Sequence, residues 1–198
     1  MPSPEAQIAH RAGPEMTNAH SPFVICPAQP SDAPAMVAVH QEAYVWGYEN
    51  NEEPEFGATN EALQAFVEGE FAERKLHYWG ASALRGTGVY VARLCPNGSD
   101  GHGRIVGIGE VTDAEVTGLY VLPKYHRRGI GGALLQATLA DLPQSTIRLA
   151  VTRWAYAATF YGKRGFEPTG RPVPTPEPPK AYGITLEQME MRRYRISR

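Results

Sequence analysis

At Gly88 the period of the apolar positions changes, from helical spacing in the segments before it to short alternating runs. Phe23-Val24-Ile25-Cys26 is a brief apolar run that predicts a strand. Ser31-Asp32-Ala33-Pro34 then sets capping residues before a proline, which predicts a helix from about Pro34 to Trp46. An acidic loop, YENNEEPEF, separates it from a second helix that begins near Asn60. That helix carries Leu63, Phe66, Val67 and Phe71 on one side. GVYVARL and RIVGIGEV alternate around the polar turn PNGSDGHG and predict a β-hairpin. AEVTGLYVL follows as a further strand, stopped by Pro123. Ile130 opens a helix with Ala133, Leu134, Ala137 and Asp141 at helical spacing, ended by Pro143. TIRLAV is the next strand, and a helix from about Ala155 to Arg164 stops at Gly165. A proline-rich loop, RPVPTPEPPK, leads into a last strand around Ile184 to Arg193. Strands of mixed spacing with helices between them predict one α/β or α+β domain over residues 22–198. Residues 1–21, rich in Pro, Ala, Ser and His, read as a flexible leader, with a docked strand as the alternative.

Composition narrows the partners. The 198 residues are 42% hydrophobic and carry a formal net charge of −2, so no basic field invites nucleic acid. No apolar run approaches the roughly 18 residues of a membrane span. The first twenty residues lack the apolar centre of a signal peptide. Cys26 and Cys95 are each followed by proline and form no disulfide or metal pattern. The expected setting is a reduced cytoplasm.

The candidate chemistry starts at YHRRGIGGALL, residues 125–135, where Gly129, Gly131 and Gly132 sit between two arginines and a helix. Glycine weakens a helix start, so a bare backbone must be needed there. The free N–H groups of a helix's first turn point outward, and the macrodipole adds partial positive charge. Glycine removes the Cβ that would hold a phosphate away, and Arg127 and Arg128 add formal charge. The stretch therefore predicts a seat for a diphosphate. It is no nucleotide P-loop, because Ala133-Leu134 replaces the Lys-Ser/Thr pair. Nor is it a dinucleotide fingerprint, which needs glycine where Leu134 stands.

Here the chain resembles the GNAT superfamily of acetyl-coenzyme A-dependent N-acetyltransferases. The pyrophosphate motif of that family is Gln or Arg, two residues, Gly, one residue, then Gly or Ala. It reads here as His126-Arg127-Arg128-Gly129-Ile130-Gly131, with His126 in place of the usual first residue. Gly118-Leu119-Tyr120-Val121-Leu122-Pro123 before it looks like the family's fourth strand. Phe160-Tyr161 and Gly165-Phe166 after it look like the family's closing signature. The resemblance is sharp over Ile105 to Phe166 and implies a mixed, mostly antiparallel sheet flanked by helices on both faces. It implies acetyl-coenzyme A as co-substrate, touched by Leu119, Tyr120, Val121, His126, Arg127, Arg128, Gly129, Ile130, Gly131, Gly132 and Tyr161. A family asparagine in the last helix falls on Trp154, which implies stacking or shape recognition there.

Acetyl transfer to an amine needs a neutral amine, a stabilised carbonyl oxygen and a leaving thiolate. An alkylammonium of pKa ~10.4 costs roughly 4–5 kcal/mol to deprotonate at pH 7, so a base is worthwhile. Glu115 and Glu110 are the candidates. By the two-residue period Glu115 shares a face with Thr117, Leu119 and Val121, and it precedes His126 by eleven residues, a spacing that resembles the histone-acetyltransferase branch. Glu110 falls within the apolar alternation of RIVGIGEV. The resemblance makes Tyr161 the donor to the departing sulfur. A backbone N–H near Tyr120, on a splayed strand, is the expected oxyanion donor. The first two helices and the proline-rich loop would border the acceptor, offering Tyr44, Trp46, Tyr48, Glu49, Glu52, Glu53 and Glu55. The expected partners are acetyl-coenzyme A and a primary amine, without nucleic acid, membrane or metal, and a homodimer is left open. A non-catalytic acyl-coenzyme A sensor on the same fold is the competing reading.

Overall fold

The computed structural model describes residues 22–49, 60–84, 88–95, 103–140, 142, 146–152, 155–174 and 188–194. Five helices, α1 (Ala33–Glu49), α2 (Asn60–Glu68), α3 (Glu70–Leu84), α4 (Ile130–Ala140) and α5 (Ala155–Gly162), accompany seven strands among these residues. The strands are β1 (Phe23–Pro27), β2 (Val89–Leu94), β3 (Ile105–Thr112), β4 (Glu115–Val121), β5 (Thr146–Thr152), β6 (Glu167–Val173) and β7 (Gln188–Tyr194). They form one sheet in the order β1-β2-β3-β4-β5-β7-β6. Every pairing is antiparallel except that of β4 with β5.

Two expectations change. The second helix is two helices broken at Gly69, and Phe71 belongs to α3 rather than α2. The start of the proline-rich stretch is strand, because β6 runs to Val173. Its pairing with β7 skips from Pro168 to Pro172, the irregularity expected where prolines cannot donate to the ladder. The leader and residues 175–187 lie outside the described residues.

The sheet has two distinct faces. A Cβ on Gly107 or Gly109 would meet Leu134, Ile130 or Thr138, so α4 lies directly on that side of β3. Ile108 and Glu110 alternate to the other side, where Trp79 of α3 reaches Glu110. α5 stands beside α4, with Phe160 against Gly131. Leu135, Leu139, Ile147, Leu149, Phe166 and Met191 pack together under α4 and α5. Met36 and Val39 of α1 and Trp79 of α3 join Val91, Val106 and Ile108 in the larger core. Helices therefore cover both faces. No helix among the described residues is long and apolar enough to cross a membrane.

Candidate active site

β4 and β5 touch only at Glu115–Arg148 and Val116–Leu149, and beyond that point the sheet opens. The register explains which groups line the opening. Leu122 N–H donates to Val106 O at 2.9 Å, so by alternation Tyr120 turns its backbone groups to β3. Leu119 and Val121 turn theirs to the side that β5 has left. The backbone N–H groups near Tyr120 that face the opening are thus those of Leu119 and Val121.

The loop after β4 has the shape of an anion seat. Arg127 and Gly129 both have positive φ, at 60° and 84°, with Arg128 between them. Alternation of this kind turns successive N–H groups toward one point. A Cβ on Gly129 would meet nothing within 4 Å, so the approach to its backbone is open. Gly131 instead faces Phe160 at 3.4 Å, and Gly132 makes room for the Arg164 guanidinium, which a Cβ would meet at 2.9 Å. Of the three glycines, Gly129 has the open approach, a Cβ on Gly131 would rest in ordinary contact with Phe160, and one on Gly132 would crowd Arg164. Arg128 lies over the Tyr125 ring at 5.3 Å, and Ile130 is buried beneath the loop.

His126 has a definite partner. Its Nε2 is 2.9 Å from Val121 O, which ties the loop to the last residue of β4. Its ring also meets Trp46 of α1 at 4.6 Å and Tyr156 of α5 at 5.9 Å. Rings from α1 and α5 thus adjoin the loop. Trp154 lies outside the described residues.

The two glutamates are separated by the structure. In the pairing of β3 with β4, Glu110 faces Gly118 and Val111 faces Val116, so Thr117 is an extra residue in β4. That bulge breaks the two-residue period. Val116 is buried with the α4-side core, as the partners of Leu119 and Val121 also are, and Glu115 falls on the opposite face. Its carboxylate accepts from Arg148 Nε at 2.9 Å, in a pair whose side chains are 35% and 52% exposed. Glu110 is 2% exposed, accepts from Trp79 Nε1–H at 3.0 Å and lies 3.6 Å from Lys75 Nζ. Gly118 keeps this arrangement open, since a Cβ there would come within 3.1 Å of Tyr120 and 3.3 Å of Glu110.

Glu110 belongs to a polar cluster that the alternation pattern did not reveal. Burial holds the Tyr120 phenol far above its ordinary value, with Tyr44, Glu110 and Tyr161 adding to the effect. Tyr44, Glu110 and Tyr161 thus each lie within electrostatic reach of Tyr120. Tyr161 comes from α5, with its ring 5.1 Å from Phe160 and 5.6 Å from Phe166. Phe166 N–H donates to Tyr161 O, so the chain folds back over α5 and delivers Phe166 to the core. Burial likewise pushes the Tyr161 phenol well up, Tyr156 adding and Arg164 opposing. His40 of α1 closes the cluster at 4.6 Å from the Tyr120 ring. Sequence reading missed His40 and Lys75, because only α1 and α3 crossing over β3 and β4 brings them to this cluster. Of the proposed acceptor-side groups, Tyr44 is in this cluster and Trp46 beside His126. Residues 50–59 and the side chains of Tyr48 and Glu49 lie outside the described residues.

A cavity of about 440 Å³ runs along α4 by Gly132, Leu135, Leu139 and Arg164, and is lined by none of the groups around Glu110.

Residues 99–192 match the family model described as an acetyltransferase (GNAT) domain, and they include β3, β4, the loop and α5. Over those residues the chain is similar to a GNAT domain. Solved structures of this family share its fold. The GCN5-related N-acetyltransferase of Rhodopseudomonas palustris is 21% identical, with 88% of this chain and 96% of that one covered and a TM-score of 0.63. The PaiA N-acetyltransferase of Thermoplasma acidophilum, solved with coenzyme A, is 17% identical over 87% and 99% of the two chains, with a TM-score of 0.61. YncA of Salmonella typhimurium, solved with its cofactor acetyl-CoA, is 16% identical over 90% and 96%, with a TM-score of 0.59. No curated protein sequence matches the chain.

Proposed function

We propose that this GNAT-like domain transfers the acetyl group of acetyl-coenzyme A to a primary amine by direct attack in a ternary complex. The observation that carries the reading is the open edge of β4, which runs into a loop of alternating positive φ. An extended pantetheine arm suits an unpaired strand edge, and a diphosphate suits converging N–H groups. The relatives solved with coenzyme A and acetyl-CoA support the same co-substrate.

When bound, acetyl-coenzyme A supplies a thioester: the carbonyl carbon accepts the nucleophile and the sulfur departs as thiolate. The N–H groups of the 127–131 segment and the charges of Arg127 and Arg128 hold the diphosphate. His126 holds the carbonyl of Val121, leaving the N–H groups of Leu119 and Val121 to bind the arm and the developing oxyanion. Glu110, through water, accepts the first proton from the acceptor ammonium. Tyr161 donates a hydrogen bond to the sulfur. Full proton transfer from a phenol at pKa ~10 to a thiolate at ~8.5 is uphill by about 2 kcal/mol, and burial of Tyr161 steepens the climb. The second proton, released by nitrogen as the amide forms, neutralises the thiolate.

Tyr161→Phe keeps the packed ring and loses only the hydroxyl. It should lower kcat and kcat/KM together by roughly 10²-fold, the low end of acid catalysis, with cofactor affinity unchanged. Full activity in this variant would remove Tyr161 from the mechanism. The reading as a whole is tested by following free thiol release from acetyl-coenzyme A with benzylamine, agmatine, lysine and an alanyl peptide. Amine-dependent release is expected. Tight cofactor binding without such release would favour an acyl-coenzyme A sensor.

A further inference from the structure

α1 turns a single imidazole into the wall beside Glu110. His40 is 2% exposed, and its ring is enclosed by Tyr120 at 4.6 Å, Phe71 at 5.1 Å, Tyr44 at 5.3 Å and Trp79 at 5.8 Å. Its Nε2 has no hydrogen-bond partner among the described residues. Trp79 Nε1–H, the nearest indole donor, is already given to Glu110. Burial, with Lys75 adding, holds the imidazole down at about 3, so the ring is neutral at any working pH. Buried polar atoms in folded proteins are almost always satisfied, and one that lacks a protein partner points to an ordered water. Position says what that water does. The ring packs on Tyr120, the residue that also neighbours Glu110 and Tyr161.

We propose, on the acetyl-transfer reading above, that His40 is a positioning residue whose Nε2 holds the water linking the acceptor nitrogen to Glu110. The acceptor ammonium gives one proton to this water, and the water gives one of its own to the Glu110 carboxylate. The amine is left with a free lone pair, the carboxylate becomes a carboxylic acid, and the imidazole gains and loses nothing. A neutral ring suits the task, because an imidazolium beside the ammonium would oppose its approach.

Two variants and one diffraction experiment test this. The amide of His40→Gln reaches about as far as Nε2, whereas His40→Leu fills the space without a polar atom. With acetyl-coenzyme A and the most active of benzylamine, agmatine and lysine, His40→Leu should lose about 10–100-fold in kcat. Its KM for acetyl-coenzyme A should stay within about twofold, and His40→Gln should recover to within about fivefold of the parent. A Leu variant at full kcat, or a Gln variant no better than Leu, overturns the inference. Should the Leu variant not fold, the Gln variant and diffraction still decide. A crystal structure with coenzyme A, at a resolution that shows waters, should place one within about 3 Å of His40 Nε2. A dry Nε2 overturns the inference whatever the kinetics. A parent protein inactive with every amine defeats the acetyl-transfer reading, while an active parent with an unaffected Leu variant defeats only this inference.

Discussion

Burial separates two carboxylates that look alike along the chain. Glu110 is enclosed by Trp79, Lys75 and Tyr120, while Glu115 stands in solvent with Arg148. An exposed ion pair is worth about 0–1 kcal/mol, so Glu115→Gln should change little. Glu110→Gln keeps an oxygen for Trp79 but no longer accepts a proton at neutral pH. Its kcat/KM should fall about 10²–10⁴-fold, against less than about threefold for Glu115→Gln, in parallel acetyl-transfer assays. The opposite ranking would move the base to β4. His40 adds a pH effect on stability. Its folded value lies near 3 against 6.5 when unfolded, so above pH 6.5 it is neutral in both states and contributes no slope. As pH falls below 6.5 the unfolded chain takes up a proton that the folded one refuses, and stability drops by up to ~1.36 kcal/mol per unit until about pH 3. Chemical denaturation should therefore show His40→Gln losing about 2–3 kcal/mol less than the parent between pH 6.5 and 4.5. Equal losses in both would mean that His40 titrates normally.

At the scale of elements, the periodic parts of the chain were legible and the irregular parts were not. β2, β3, β4, α4 and α5 follow from alternation, helical spacing and the stops at Pro123, Pro143 and Gly165. The Thr117 bulge does not, because one extra residue leaves the polarity pattern of AEVTGLYV unchanged while setting Glu115 and Leu119 on opposite faces. β6 is hidden in the sequence because Pro168, Pro172 and Gly170 argue for a loop, and only pairing with β7 overrides them. Along the sequence Gly129 and Gly132 look alike, and only contacts distinguish them. In the family motif His126 is only an unusual first residue, whereas in the fold it fastens the loop to Val121 O. His126→Ala should thus weaken acetyl-coenzyme A binding about tenfold by titration calorimetry, the ~1.4 kcal/mol of one lost hydrogen bond. His126→Gln, which restores a donor, should stay within about threefold. Equal affinity in all three would make the contact incidental.

For the whole molecule, the arrangement is a sheet opened between β4 and β5, with a carboxylate-phenol cluster on one side and, at the end of β4, the loop proposed as the anion seat. The seat is the element on which every later step depends. A ligand that binds only the folded state at 100 times its Kd stabilises it by about 2.7 kcal/mol, which for a domain of this size raises Tm by about 5–10 °C. Gly129→Asp tests the seat in particular. A side chain there meets nothing within 4 Å, and Asp tolerates positive φ better than most residues, so the fold should survive while a negative charge enters the loop. The decisive measurement is the melting temperature of the parent and of Gly129→Asp, each with and without saturating acetyl-coenzyme A. The account predicts a rise of about 5–10 °C for the parent and almost none for the variant. A parent that does not shift, or a variant that shifts as much as the parent, would contradict it.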